Sequence, residues 1–183
     1  MVAKRVKSTY QSPLGLIYLT ADAVGLTEVW FEGTKNSPVS FNTEHGVRET
    51  PVIVETKRWL DIYFSGKRPD FTPHLHIIGT EFRLCVWHLL QQIPYGKTVC
   101  YGLLADNIAK KRGMQSMSAQ AVGGAVSRNG ISIIIPCHRV VGKNGHLIGY
   151  TGGIDRKYKL LQLEHAVIEK FFSPVAPGIK DRP

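Results

Sequence analysis

Cysteine is scarce and unpatterned: Cys85, Cys100 and Cys137 are an odd set of three without dense spacing in 183 residues. This excludes a disulfide framework as the source of stability and implies a reducing compartment. No apolar run is long enough to cross a bilayer, and the first residues, Met-Val-Ala-Lys-Arg-Val-Lys, lack the apolar centre of a signal peptide. The chain therefore reads as cytoplasmic, without a membrane partner. Internal repeats and low-complexity blocks are also missing. Acidic residues are few, 14 Asp and Glu against 23 Lys and Arg, for a formal net charge of +9. Such an excess favours polyanionic partners, nucleic acid or an anionic membrane surface, although a merely soluble basic protein satisfies charge alone. What is present is an ordinary globular composition, long enough for one generous domain or two small ones.

Residues 14–21 and 26–31 are rich in β-branched and aromatic side chains, and Asp22-Ala23-Val24-Gly25 between them suits a turn, which predicts a β-hairpin. Residues 34–49 are polar and aperiodic and read as a loop. Thr50-Pro51 offers an N-cap followed by proline at the first helical position, with Val54, Trp59, Ile62 and Tyr63 as an apolar face up to Gly66. Residues 71–78 read as a further strand after Pro69. His74 and His76 would share a face of that strand, one way to begin a metal site, but no third ligand lies nearby and no cysteine precedes Cys85, so no metal is assigned.

From Gly79 the pattern turns helical. Thr80 can cap a helix carrying Phe82, Val86, Leu89 and Leu90, brought to an end by Ile93-Pro94-Tyr95-Gly96. A second helix is predicted from about residue 101 to 111, stopping at Gly113, and a third from Ser118 to about Ser127. Two helices joined by a short glycine-containing turn are the minimum form of a helix-turn-helix. A last helix starts at Ile154, basic at Arg156, Lys157 and Lys159, and runs to about residue 172. The fold class is thus an α/β N-terminal domain, a small sheet plus a helix, over residues 1–78. A mainly α C-terminal domain follows over residues 79–168, and residues 169–183, with their prolines, form an irregular tail.

Two stretches call for chemistry. Residues 118–127 are almost entirely small, and the adjacent Gly123 and Gly124 are a poor choice for helix stability. Something approaches that backbone closely, either another helix or a nucleic-acid groove, and the basic flanks Lys110, Lys111, Arg112 and Arg128 favour a phosphate-lined partner. Ile133-Ile134-Ile135 reads as a buried strand ended by Pro136, which puts Cys137 where a rigid element gives way to a turn. A cysteine beside an imidazole and cations can lose its proton near neutral pH and become a nucleophile, yet free cysteine is also among the most buried residue types. Downstream, Gly142-Lys143-Asn144-Gly145 is a turn, and Gly149-Tyr150-Thr151-Gly152-Gly153 is a loop of the kind that shapes pockets.

Pro136-Cys137-His138-Arg139-Val140, taken with Asn129, the Gly149–Gly153 loop and Leu160-Leu161-Gln162-Leu163-Glu164, resembles the O6-alkylguanine-DNA alkyltransferase family. The likeness runs from about Gly79 to Glu164, including Ile93-Pro94-Tyr95-Gly96-Lys97 and Ala121-Val122-Gly123-Gly124-Ala125, and is looser in the first domain, through Ser12-Pro13-Leu14-Gly15 and Trp30-Phe31. It implies a ribonuclease H-like first domain and a winged-helix-like second one. It also implies single-turnover transfer of an alkyl group from O6 of guanine to the protein's own cysteine, with no cofactor, and leaves open whether O4-alkylthymine is a substrate as well. By the same resemblance Cys137 is the acceptor, His138 removes its proton through a bound water, Glu164 orients the imidazole and Asn129 braces the turn. Tyr101 hydrogen-bonds the flipped base, Lys157 lies near the leaving group, and Val140, Tyr150, Thr151 and Gly152 line the pocket.

The DNA side implied by the resemblance comprises Ser118, Ala119, Gln120, Ala121, Gly123, Gly124, Arg128 and Arg139, with the small-residue helix in the minor groove. The partner is double-stranded DNA carrying alkylated guanine; a monomer is expected, with no obligate protein partner. Two positions depart from the family pattern. Gln120 stands where an arginine is common, and Gly130 follows Asn129 where proline is usual, which loosens the turn. The alternatives are a non-catalytic alkylguanine-binding relative, in which the acceptor cysteine is replaced, and a cysteine hydrolase, which needs an oxyanion hole and turns over repeatedly.

Overall fold

The structure, a computed structural model, describes residues 5–34 and 49–166. The polar stretch expected as a loop at residues 34–49 and the tail at 169–183 lie largely or wholly outside the described residues. Strands β1 (Val6–Ser12), β2 (Gly15–Ala21) and β3 (Leu26–Phe31) form an antiparallel sheet in that order. The β2–β3 hairpin is the predicted one, its turn tied by Asp22 N–H on Gly25 O at 3.0 Å. Strand β1 escapes sequence reading because its buried positions include Ser8 and Ser12, which break the apolar alternation. Ser12 Oγ donates to Gly15 O at 2.6 Å across the β1–β2 turn, where Gly15 takes a φ of +109°.

Helix α1 (Pro51–Phe64) begins at the predicted proline, but Thr50 makes no side-chain capping bond. Its inward face is Ile53, Thr56, Trp59, Leu60 and Tyr63; Val54 points to solvent and is 53% exposed, so the expected apolar face was misplaced by one residue there. The expected strand at residues 71–78 is also absent. Only Leu75 bridges the sheet, with Leu26 N–H on His74 O and His76 N–H on Leu26 O, both at 2.8 Å. Pro69 and Pro73 deny a longer ladder its donors. His76 meets Asp22 at 2.7 Å, His74 is exposed, and no cluster of three metal-ligating side chains occurs among the described residues.

The rest of the β3 edge is taken by the second half of the chain, where Val29 N–H bonds Gly130 O at 2.8 Å and Ser132 N–H bonds Val29 O at 3.0 Å. Helices α2 (Glu81–Gln91), α3 (Tyr101–Lys111), α4 (Ala119–Val126) and α5 (Ile154–Leu163) start where predicted, and Thr80 and Ser118 hydroxyls cap α2 and α4. Short strands β4 (Val99–Cys100) and β5 (Val140–Val141) pair in parallel. Trp87 donates its indole N–H to Ala125 O at 2.9 Å, locking α2 onto α4. Helix α5 ends at Leu163, short of the expected residue 172, because His165 turns to a φ of +52° and breaks the helix. One apolar core runs through both halves, from Leu19 and Phe31 through Leu60 and Leu90 to Val126, Ile135 and Leu160.

Candidate active site

The apolar run before Cys137 is not a strand. Ile134 N–H bonds Ser132 O at 2.8 Å and Ile135 N–H bonds Ile131 O at 3.0 Å, so residues 131–135 form a coiled turn, with Ile133 at a φ of +71°. Continuous apolarity here reports burial on all sides, which a buried turn satisfies as well as a strand does. A left-handed conformation is costly for a β-branched residue and persists only when its surroundings impose it. Asn129 does so. Its Nδ2 lies 3.3 Å from Ile131 O, 2.8 Å from Ile135 O and 3.1 Å from Cys137 Sγ, while Oδ1 accepts from Ile131 N at 3.0 Å. Gly130 carries no unusual φ, and its carbonyl is held by Val29, so the brace is fully formed without proline.

Cys137, His138 and Arg139 make one turn of 3-10 helix, which solves the problem of two adjacent side chains that an extended chain would send apart. Glu164, at the end of α5, receives what they offer. Its Oε1 lies 2.7 Å from His138 Nε2 and accepts from Arg139 Nη2 at 3.0 Å and from the Tyr63 hydroxyl at 2.7 Å. Its Oε2 accepts from Arg139 Nε at 2.8 Å and from Gly96 N at 3.0 Å. The Glu164 and His138 side chains are wholly buried. The His138 ring sits edge-on between Tyr63 and Tyr150, with both centroids at 6.4 Å, and its Nδ1 is a buried polar atom without a protein partner.

Burial pushes the Cys137 thiol up, against the opposing pull of the Asn129 hydrogen bond, the Lys157 charge and the backbone N–H groups of residues 137 and 138. The resting thiol is therefore protonated, where the sequence pointed to one ionised near neutral pH. Burial likewise holds His138 below the usual imidazole range, in spite of Glu164, and so keeps it neutral. For Glu164 burial pushes upward, but His138 and the Arg139 guanidinium outweigh it and hold the carboxyl far below the usual range. A neutral thiol beside a neutral imidazole anchored to a carboxylate is a resting state from which one proton transfer makes a nucleophile.

Other predicted residues converge on this turn. Tyr101, first in α3, donates to Gly149 O at 3.1 Å; its phenol is pushed up to about 12, chiefly by burial and further by Cys137 once that thiol is ionised. Thr151 Oγ1 donates to Ser127 O at 2.8 Å and ties the loop to the end of α4. A Cβ on Gly152 would lie 2.6 Å from the Tyr150 ring, so only glycine allows that approach. Lys157 is fully buried and donates to Val140 O at 2.5 Å and Ile148 O at 2.6 Å; burial brings it down to about 8. On α4, Ser118, Ala119, Gln120 and Ala121 are exposed, Gly123 and Gly124 are half-buried, and Arg128 reaches back to Gly124 O at 2.8 Å.

Arg139 does not lie on that face. It is buried against Glu164, with Nη1 on Ile93 O at 2.6 Å, because a buried carboxylate demands a paired cation. Sequence reasoning also missed Tyr63, which an amphipathic helix presents as one more core aromatic. It missed Arg156, which lies 4.7 Å over the Phe31 ring and donates to Leu14 O at 3.1 Å and to Gly152 O at 3.3 Å, joining the pocket loop to the β1–β2 turn. A cavity of about 330 Å³ is walled by Trp59, Tyr63, Arg68, Tyr95 and Arg139 among others, but Cys137 is not in its lining.

Residues 6–77 match the family described as 6-O-methylguanine DNA methyltransferase, ribonuclease-like domain, and residues 81–166 match its DNA binding domain. A methylated-DNA–protein-cysteine methyltransferase of Methanosarcina acetivorans is 42% identical over 156 residues, 85% of this chain and 95% of the relative. The inducible enzyme of that name from Bacillus subtilis is 38% identical over 82% of this chain and 79% of its own. The crystal structure of Mycobacterium tuberculosis O6-methylguanine methyltransferase superposes with a TM-score of 0.73 at 35% identity, covering 88% of this chain and 93% of that one. The Mycobacterium tuberculosis protein in complex with DNA gives 0.72 at 36%, over 87% and 92%. Matched in both parts, and by relatives of nearly its own length, the chain belongs to the 6-O-methylguanine DNA methyltransferase family.

Proposed function

We propose that this protein repairs DNA by direct reversal, with Cys137 taking the alkyl group from O6 of an alkylated guanine once per molecule. The observation that carries this is the buried Cys137 thiol, 3.1 Å from Asn129 Nδ2 and next in sequence to an imidazole anchored on a buried carboxylate. Attack on a saturated carbon calls for a soft, charged nucleophile, and a thiolate meets that need. The Cys137 proton passes to His138 Nδ1 through a bridging water, and Glu164 steadies the imidazolium. The sulfur–carbon bond forms as the O6–carbon bond breaks, and the electron pair leaves on guanine, which regains one proton. Asn129 and Lys157 favour the thiolate, and Tyr101 hydrogen-bonds the departing base. Backbone groups of Val140, Tyr150, Thr151 and Gly152 recognise the guanine edge.

Duplex DNA is the partner, because a lesion inside a stack is out of reach until the base is turned out. Helices α3 and α4 serve as the helix-turn-helix, and the exposed Ser118, Ala119, Gln120 and Ala121 enter the minor groove, where small side chains permit close approach. Gly123, Gly124 and Arg128 continue that surface, and Gln120 occupies the space the base leaves. Residues 79–168 carry this binding and chemistry and residues 1–78 support them; the two family matches part between residues 77 and 81. One chain supplies every group named, so a monomer suffices, and the unpaired cysteines suit a reducing cytoplasm.

The test is direct. Incubation with a duplex containing O6-methylguanine adds one methyl group to the peptide bearing Cys137, read by mass spectrometry, and the Cys137→Ser variant gains none. Repeated turnover, or methylation at Cys85 or Cys100 instead, overturns the reading. Tight binding with no transfer selects the non-catalytic alternative.

A further inference from the structure

Tyr63 belongs to α1, in the first half of the chain, yet its hydroxyl ends at the reaction centre. It is fully buried, donates to Glu164 Oε1 at 2.7 Å and lies 3.4 Å from His138 Nε2. A phenol has one proton, and here Glu164 takes it. To His138 it presents only a lone pair, and the ionised Glu164 Oε1 at 2.7 Å likewise only accepts, so Nε2 is the ring nitrogen that carries hydrogen and Nδ1 is left as the base. The same Oε1 that His138 uses is thus shared with Tyr63 and Arg139, which divides the carboxylate's negative charge among three donors.

We infer that Tyr63 is a positioning residue for alkyl transfer: by sharing Glu164 Oε1 with His138 it limits the basicity of the imidazole. The N-terminal domain thereby takes part in the chemistry. The inference rests on the function proposed above. The charged and titratable groups that face the pair are Arg139, Tyr95, Tyr150 and Lys157. Arg139 and the Gly96 N–H donate to the same carboxylate. Tyr95, which receives the Arg139 guanidinium 5.7 Å over its ring, directs its own hydroxyl to Leu163 O. Tyr150 approaches His138 by its ring, and Lys157 is bound to two carbonyls. Among the described residues, only Tyr63 and Arg139 offer Glu164 Oε1 a side-chain donor in addition to His138 itself.

Tyr63→Phe removes the hydroxyl and keeps the ring, which stacks on Trp59 at 5.3 Å and meets Phe64 edge-on at 5.4 Å. Without that donor Glu164 holds more charge for His138, the imidazolium is favoured, and a higher pH is needed to free the base. The experiment is the rate of methyl transfer to Cys137 from an O6-methylguanine duplex against pH, for the full chain and the variant, with Tm measured alongside. The acid limb should move upward by roughly half to one pH unit in the variant, with the plateau rate and DNA affinity within a few-fold. Heteronuclear NMR of the His138 ring nitrogens, without turnover, should show the Nε2–H tautomer in the parent and a raised imidazole pKa in the variant. An unmoved limb, or a rate lowered equally at all pH values with a lower Tm, reduces Tyr63 to packing and overturns the inference. A parent protein that never methylates Cys137 defeats the proposed function first, and this inference with it; a parent that does, beside a variant titrating identically, defeats this inference alone.

Discussion

The exposed face of α4 and the buried surroundings of Glu164 are built on opposite principles. At the start of α4, Ser118, Ala119, Gln120 and Ala121 offer small or uncharged side chains to solvent, and under the proposed function recognition there is a matter of how near a backbone can come. Around Glu164, five hydrogen bonds from four residues converge on one carboxylate that has no contact with water. A surface that must accept any guanine in any sequence gains from few specific contacts. A centre that must hold an imidazole in one tautomer needs every donor in place, and it loses most when one is removed.

The largest effect should therefore come from Glu164→Gln, which leaves Arg139 buried without its counter-charge. Loss of one partner from a buried pair costs about 3–5 kcal/mol, to be read as a lower denaturation midpoint, and methyl transfer should fall with it. A midpoint shifted by less than about 1 kcal/mol would mean that solvent reaches Arg139, against the contrast drawn here. Asn129→Ala should rank next. It strands the Ile131 N–H inside the protein, at about 1–3 kcal/mol, leaves the Ile135 carbonyl with only the Cys137 N–H, and releases the turn that carries Cys137.

Acid should act on the same buried centre. His138 is neutral in the fold with its pKa below 6.5, so the unfolded chain takes up a proton first as pH falls through 6.5, and stability drops from there downward. Glu164 adds to this at lower pH: its folded pKa is depressed, so its contribution is present above 4.5 and is lost as pH falls toward the native value. Urea midpoints measured between neutral pH and pH 4 check the direction; a stability that rises on acidification across 6.5 contradicts the assignment of a neutral His138.

The α4 face should respond far less. Gln120→Arg adds one cation to an exposed position, and we expect DNA affinity to rise by a few-fold, with the slope of log affinity against log salt steeper by about 1. Thermal stability should stay the same. The smallest effect is expected at Gly130→Ala. Its φ is ordinary, and an added Cβ would lie 3.6 Å from Trp30, in normal contact, so the variant should gain about 0.4–1 kcal/mol by narrowing the unfolded ensemble. A loss there would show that glycine is needed at the turn, and that its flexibility is used.

Legibility in the sequence followed locality. The caps at Thr80 and Ser118, the proline opening α1 and the hairpin turn at Asp22–Gly25 are local rules, and they were readable as such. Residues 133–135 were misread because three isoleucines report burial and carry no record of the turn that Asn129 imposes. Arg139 was misread for a related reason. The resemblance put it on the DNA side, and the buried carboxylate that claims it lies 25 residues further along the chain. Tyr63 stands 101 residues from Glu164 and left no signal at all.

What the sequence determined by itself is the inventory and the class: which cysteine has an imidazole beside it, where the helices begin, and the family to which the ordered motifs belong. The tertiary structure decided which atoms meet. It folded an apolar run into a turn, drew Arg139 inward, brought Tyr63 across the core to Glu164 and held the resting thiol protonated. Burial accounts for these outcomes, because the energy of a charge or a donor depends on what surrounds it, and those surroundings come from parts of the chain that are distant in sequence.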